Sequence, residues 1–199
     1  DISNTFMQPV TATPKTFFPG NKGGAMWSPP SWSPITRNLY TMGVNEAHDY
    51  VINQPLPQVY KPGTPIVGQY SGGNMRLNYD VFEPNGTFTA INTDTGKITW
   101  QYKSPRPMYG GALATAGGIV FAGEMTGDFI AFDAKDGKKL WTYSMGAGVC
   151  TPPITYRIKG VQYIAVGASG CHGGENLMHK DGRAMFGDVF AIFALPQVH

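Results

Sequence analysis

The sequence predicts an all-β fold, a β-propeller of four-stranded antiparallel blades, and three observations predict it. The phrase Gly86-Thr87-Phe88-Thr89-Ala90-Ile91-Asn92-Thr93-Asp94-Thr95-Gly96-Lys97-Ile98-Thr99-Trp100 returns 41 residues on, over residues 127–141. A glycine-rich entry leads into a hairpin three times. Glycine (26) and proline (16) are abundant while hydrophobic residues still make up 42%, which marks strand-and-turn globular material and not a disordered chain. Units of roughly 40–45 residues with four strands each match propeller blades in length and strand count.

The elements follow in chain order. Residues 1–22 are rich in proline, threonine and phenylalanine without a period, and read as an irregular entry segment; the abrupt start at Asp1-Ile2-Ser3-Asn4 reads as a processed or truncated product. A first blade spans about residues 23–100. It opens with Gly23-Gly24-Ala25-Met26-Trp27, continues through the strand Asn38-Leu39-Tyr40-Thr41-Met42-Gly43, and ends on the first copy of the repeated phrase. A long insertion at 44–84 stretches it, with Pro55, Pro57, Pro62, Gly63, Pro65, Gly72 and Gly73; connections of that length are usually functional or interface loops.

The second blade, about 108–141, repeats the Gly-Gly-Ala opening at Gly110-Gly111-Ala112 and closes on the second copy. In each copy Asp94-Thr95-Gly96 or Lys135-Asp136-Gly137 supplies a turn residue tolerant of positive φ between two apolar strands. The third blade, about 147–195, turns at Lys159-Gly160. Its stretch Gly187-Asp188-Val189-Phe190-Ala191-Ile192-Phe193-Ala194 matches the start of the phrase, but Leu195-Pro196 stands where the turn should follow, so the outer strand is missing. A propeller closes with about 4–8 blades, so the chain is part of a larger ring or needs partners to close one. Unpaired blade edges would otherwise invite aggregation.

Composition narrows the function classes. Lys+Arg 15 against Asp+Glu 13 leaves a net charge of +2 with no basic stripe, which argues against a nucleic-acid partner. No stretch approaches the roughly 18 apolar residues of a membrane span, and the N-terminus lacks the charged-then-apolar order of a signal peptide. Two cysteines without a Cys-x-x-Cys-His run make neither a zinc cluster nor a c-type haem site. Cys150 precedes and Cys171 follows the hairpin centred on Lys159-Gly160, so they fall within about two residues of facing each other across an antiparallel pair. A disulfide and two buried thiols both satisfy that geometry.

Trp100 and Trp141 recur at a fixed interval, as large aromatics buried between sheets do, and read as structural. Trp27 reads equally as a cavity rim or as core. Tyr109 reads as lining the axial cavity, because Gly110-Gly111 marks a close backbone approach. His172 lies among glycines as a loop residue with a candidate role at the mouth of a site; His48, His179 and His199 read as solvated.

Three phrases in order carry a resemblance: Ala-x-Asn/Asp-x-x-x-Gly-Lys-x-x-Trp, Pro107-x-x-Gly-Gly-x-Leu-x-Thr-Ala-Gly-Gly-Ile-Val-Phe121, and Pro152-Pro153-Ile-Thr-Tyr-x-x-x-Gly-x-Gln-Tyr-Ile-Ala-Val166. Together they resemble the C-terminal blades of the pyrroloquinoline quinone (PQQ) dependent alcohol dehydrogenases, over about residues 23–196. The resemblance implies roughly the last third of an eight-bladed periplasmic enzyme. It implies oxidation of alcohols or aldose sugars with PQQ and a calcium or lanthanide ion, and electrons passed to a cytochrome or membrane quinone.

The family's catalytic aspartate, most of its metal ligands, its vicinal disulfide and the tryptophan beneath the quinone belong to earlier blades. The resemblance therefore assigns this chain no catalytic residue and no metal ligand of its own. It assigns part of the cofactor rim: Met26-Trp27, Tyr109, and the glycine-rich end Gly170-Cys171-His172-Gly173-Gly174. Met26 stands where the family often has asparagine, and Met108-Tyr109 where it often has tryptophan or asparagine. A methionine cannot donate the amide hydrogen bond that asparagine offers a quinone oxygen, so the departures imply an altered rim or a lost quinone. Two classes follow: part of a quinoprotein dehydrogenase completed by the remaining blades, or a non-enzymatic propeller scaffold for protein binding or assembly.

Overall fold

In the computed structural model residues 13–20, 22–50, 62–63, 75–78, 80–171 and 187–195 are described, with residues 75–77 as backbone alone. Every regular element among them is a strand. Strands β2 (Ser31–Ser33), β3 (Asn38–Asn45), β6 (Asn85–Asn92) and β7 (Ile98–Ser104) form a four-stranded antiparallel sheet in the order β2-β3-β6-β7. Strands β8 (Ala112–Ala114), β9 (Ile119–Gly123), β10 (Asp128–Asp133) and β11 (Lys139–Ser144) form a second, and β12 (Ile154–Ile158), β13 (Val161–Ala168) and β14 (Val189–Ala194) a third of three strands. Each sheet is a chain-order meander of the kind that makes a propeller blade.

The repeated phrase repeats in three dimensions. Both copies pair as a hairpin, and both carry a register shift at the same place, between Ala90 and Ile91 and between Ala131 and Phe132. Gly96 and Gly137 take φ of 68° and 76°, the left-handed conformation the turn requires. The first residue of each turn caps it from its side chain: the Asn92 carbonyl oxygen accepts from the amides of Asp94 and Thr95, and the Asp133 carboxylate accepts from Lys135.

Burial follows the two-residue period of a strand. Along β3, Asn38, Tyr40, Met42 and Val44 are buried and the residues between them are not. Tyr40, Met42, Phe88 and Trp100 of the first sheet meet Val120, Ile130 and Phe132 of the second in one core cluster. Phe129, on the opposite face of β10, joins Val149, Ile164 and Val166 in the next. The middle sheet is thus covered on both faces. The third is not: Ile154, Ile158, Phe190 and Ile192 are exposed apolar residues.

A fourth, small sheet lies outside the blades. Strand β4 (His48–Tyr50) pairs with β1 (Lys15–Phe17) on one side and β5 (Met75–Leu77) on the other. Part of the segment read as irregular is therefore a strand, and part of the long insertion is its partner. Phe17 packs edge-on against Tyr50, and Thr16 and Asn78 both donate to the Asp49 carboxylate. These pairings join residues far apart in the chain through strands of three residues, which is why no local pattern announces them.

Candidate functional site

In a meander blade the start of the first strand and the end of the second lie at the same edge. Here that edge gathers Met26-Trp27 before β2, Tyr109 before β8 and Cys150 before β12, together with Val44-Glu46 at the end of β3, Met125 after β9 and Cys171 after β13. Val44, Tyr109, Met125 and Cys171 pack as one buried cluster, with Met26 and Cys150 partly buried against it. Three blades therefore meet around Met26, Tyr109 and Cys171.

Close backbone approach makes the convergence feasible. At Gly111 a Cβ would lie 2.6 Å from the Pro152 side chain, so only glycine lets the entry to β8 pass the entry to β12. The Ala112 amide donates to the Pro29 carbonyl at 3.0 Å, and the Ser28 hydroxyl donates to the Tyr109 carbonyl. Gly170 donates its amide to the Gly148 carbonyl at 3.1 Å, closing the third blade's edge. Cys150 and Cys171 form a disulfide with a Cα–Cα distance of 5.3 Å, which decides between the bridge and the two thiols.

The individual residues differ from one another in what they present. Trp27 is 80% exposed, so its indole is not core in this chain. Met26 covers the Tyr109 cluster from one side. Tyr109 is buried, and its hydroxyl is committed inward: it donates to Glu46 Oε1 and accepts from Lys22 Nζ at 2.8 Å. His172, with Gly173 and Gly174, lies outside the described residues, as do His179 and His199.

His48 corrects a reading from sequence. It is not solvated: it is 4% exposed, its Nε2 lies 4.0 Å from Glu46 Oε2, and its ring fills the space a side chain at Gly20 would need. Burial pushes its pKa below the ordinary value, with Glu46 opposing the shift. Lys22 is likewise held below the usual lysine value, first by burial, with the Glu46 carboxylate pulling the other way at 3.8 Å. The polar group Lys22, Glu46, His48 was missed, yet parity could have found two of its members. The buried face of β3 runs Tyr40, Met42, Val44, and two further steps of two reach Glu46 and His48.

The two repeated tryptophans occupy related places. Trp100 is 9% exposed; its indole N–H donates to the Ala134 carbonyl at 3.1 Å and its ring stacks on Phe132, joining the first blade to the second. Trp141 packs edge-on against Phe193 of the third blade but is 39% exposed, and it borders an open apolar groove of about 810 Å³ with Leu140, Ile164 and Leu195. Among the described residues no group of three or more His, Cys, Asp or Glu could hold a metal ion.

With this arrangement in view, comparison with known proteins decides the family. The family described as PQQ glucose/ethanol/alcohol dehydrogenase, beta-propeller domain, matches residues 2–164. The chain belongs to this family. It is 38% identical over 144 residues to the quinoprotein alcohol dehydrogenase PedE of Pseudomonas putida, covering 72% of this chain and 22% of that protein. It is 33% identical over 185 residues to the lanthanide-dependent methanol dehydrogenase of Methylacidiphilum fumariolicum, covering 88% and 29%. Among solved structures, the quinohemoprotein alcohol dehydrogenase of Comamonas testosteroni superposes with a TM-score of 0.72 at 26% identity, over 94% of this chain and 29% of that one.

The PQQ-family blades described above thus account for the all-strand meander, and the chain spans between a fifth and a third of the length of these relatives.

Proposed function

We propose that the chain is the late-blade part of a periplasmic quinoprotein dehydrogenase that oxidises small alcohols or aldose sugars, with the remaining blades supplied by the same polypeptide or a companion one. The observation that carries this is the convergence of three blade ends, with Met26, Tyr109 and the Cys150–Cys171 bridge packed together beside an exposed Trp27.

The residues present suit one margin of a flat aromatic cofactor. An exposed indole and a polarizable thioether make favourable contacts with a planar ring system. When bound, PQQ would supply the two-electron oxidising equivalent for the alcohol, with a calcium or lanthanide ion held by ligands of the other blades. Trp27 and Met26 would shape that margin and shield it from water. Tyr109 would support them from below, since its hydroxyl is turned to Glu46 and Lys22. The Gly170 end, continuing into His172, would border substrate entry. Met26 donates no hydrogen bond, so donors for the quinone oxygens would come from elsewhere in the ring.

A disulfide is at home in an oxidising compartment, which supports the periplasmic placement. No helix among the described residues is long and apolar enough to cross a membrane. The third sheet's exposed apolar face and the partly open Trp141 support the docking of further blades. The electron acceptor proposed is a cytochrome c or a membrane quinone. The test is reconstitution of the complete propeller with PQQ and calcium or a lanthanide, followed by quinone absorbance and ethanol-dependent dye reduction. Saturable absorbance with turnover supports the enzyme; absence of both would leave the non-enzymatic scaffold.

A further inference from the structure

Glu46 is a carboxylate at 1% exposure, in the link between β3 and β4. One oxygen accepts from the Tyr109 hydroxyl; the other, Oε2, has no hydrogen-bond partner. A buried carboxylate left half-satisfied is costly, and such groups concentrate where stability is not the only demand on the structure. Lys22 and His48 lie 3.8 and 4.0 Å from its two oxygens, and its side-chain hydrogen bond comes from the tyrosine that packs among Met26 and Val44 of the first blade, Met125 of the second and Cys171 of the third.

The molecule also contains a second Lys–Tyr–Glu arrangement of nearly the same geometry. Tyr102 donates to Glu124 Oε1 at 2.9 Å and accepts from Lys139 Nζ at 2.9 Å, with the ammonium 4.4 Å from the ring centroid, against 4.5 Å for Lys22 over Tyr109. There the other carboxylate oxygen is partnered as well, by the Thr126 hydroxyl at 3.3 Å, and Tyr102 lies on the outer strand β7, packed on Phe132. Both copies join the first blade to the second; only the Glu46 copy packs against Met26.

We propose that Glu46 is a positioning residue of the cofactor face: acting through Tyr109, with Lys22 as its countercharge, it fixes the floor on which Met26 and the Cys150–Cys171 bridge stand. The inference rests on the PQQ reading above. Glu46 touches neither cofactor nor substrate, so its effect is expected on cofactor affinity and only through the tyrosine.

The experiment uses the complete propeller and measures the PQQ dissociation constant by absorbance titration, with the melting temperature alongside. Tyr109→Phe is expected to weaken PQQ binding about tenfold and Glu46→Gln about threefold, since a neutral acceptor replaces a charged one of about twice the strength. The double variant is expected to equal Tyr109→Phe alone, because both changes cut one connection. Glu124→Gln is the matched control, expected to lower the melting temperature with PQQ affinity unchanged. Should Glu46→Gln not fold, Lys22→Gln enters the same network with the same expected non-additivity. Wild-type affinity in Glu46→Gln and Tyr109→Phe, losses that multiply in the double variant, or an equal loss in Glu124→Gln would each overturn the inference. A wild-type protein that binds no PQQ fells the functional reading itself, and so is told apart from a failure confined to the variants.

Discussion

The joint between the first two blades makes a quantitative prediction, because the repeat supplies its own control. Gly96 and Gly137 are equivalent turn residues with φ of 68° and 76°. A Cβ at Gly96 meets nothing within 4 Å, whereas one at Gly137 would lie 2.6 Å from the Trp100 ring. Gly96→Ala therefore costs only the left-handed backbone strain, about 1–2 kcal/mol. Gly137→Ala costs that plus overpacking against the indole, for a total of roughly 2–5 kcal/mol.

The assay is urea unfolding followed by circular dichroism, comparing midpoints at equal slope. In a Trp100→Ala background the two alanines should cost the same, since the group they differ over is gone. Equal costs for Gly96→Ala and Gly137→Ala in the wild-type background, within about 0.5 kcal/mol, would refute the docking of Trp100 on that turn.

Three further outcomes follow from the same structure. Trp100→Ala should destabilise this chain by about 3–5 kcal/mol and the partly exposed Trp141→Ala by clearly less, with the gap narrowing once further blades are present, as measured by denaturant midpoints. Reducing the Cys150–Cys171 bridge, or replacing both residues by serine, should cost about 3 kcal/mol for a loop closed over 21 residues; an unchanged midpoint with and without reductant would contradict it. His48 has a folded pKa below its unfolded 6.5, so the unfolded state binds more protons as acidity rises. Stability should fall as pH drops below about 6.5 and level off below the folded value, and His48→Gln should flatten that window; identical slopes in the two proteins would rule it out.

How much of this was legible from sequence depends on how far apart the contacting residues lie. The blades were legible because a blade is a local meander: a turn needing Gly96 or Gly137 and a phrase ending in tryptophan recur in one continuous stretch, and both can be seen without knowing the fold. The disulfide was half legible, since the hairpin between Cys150 and Cys171 set their distance but not their oxidation. The β1-β4-β5 sheet was not, because Lys15 pairs with Tyr50 across a segment of mixed composition. Glu46 and His48 were hidden by their chemistry. Charged and titratable residues in an insertion read as solvated, and only the continued parity of β3 says otherwise. Trp27 stayed open because the sequence does not say which blades surround it, and this chain alone leaves it uncovered.

The most direct test of the central claim is a PQQ titration of the complete propeller containing this chain, with calcium or a lanthanide present and ethanol and an electron-accepting dye added at saturation. A quinoprotein dehydrogenase gives quinone absorbance that saturates at about one PQQ per propeller and dye reduction that depends on both PQQ and alcohol. A fully assembled propeller that takes up no PQQ and reduces no dye would contradict the claim.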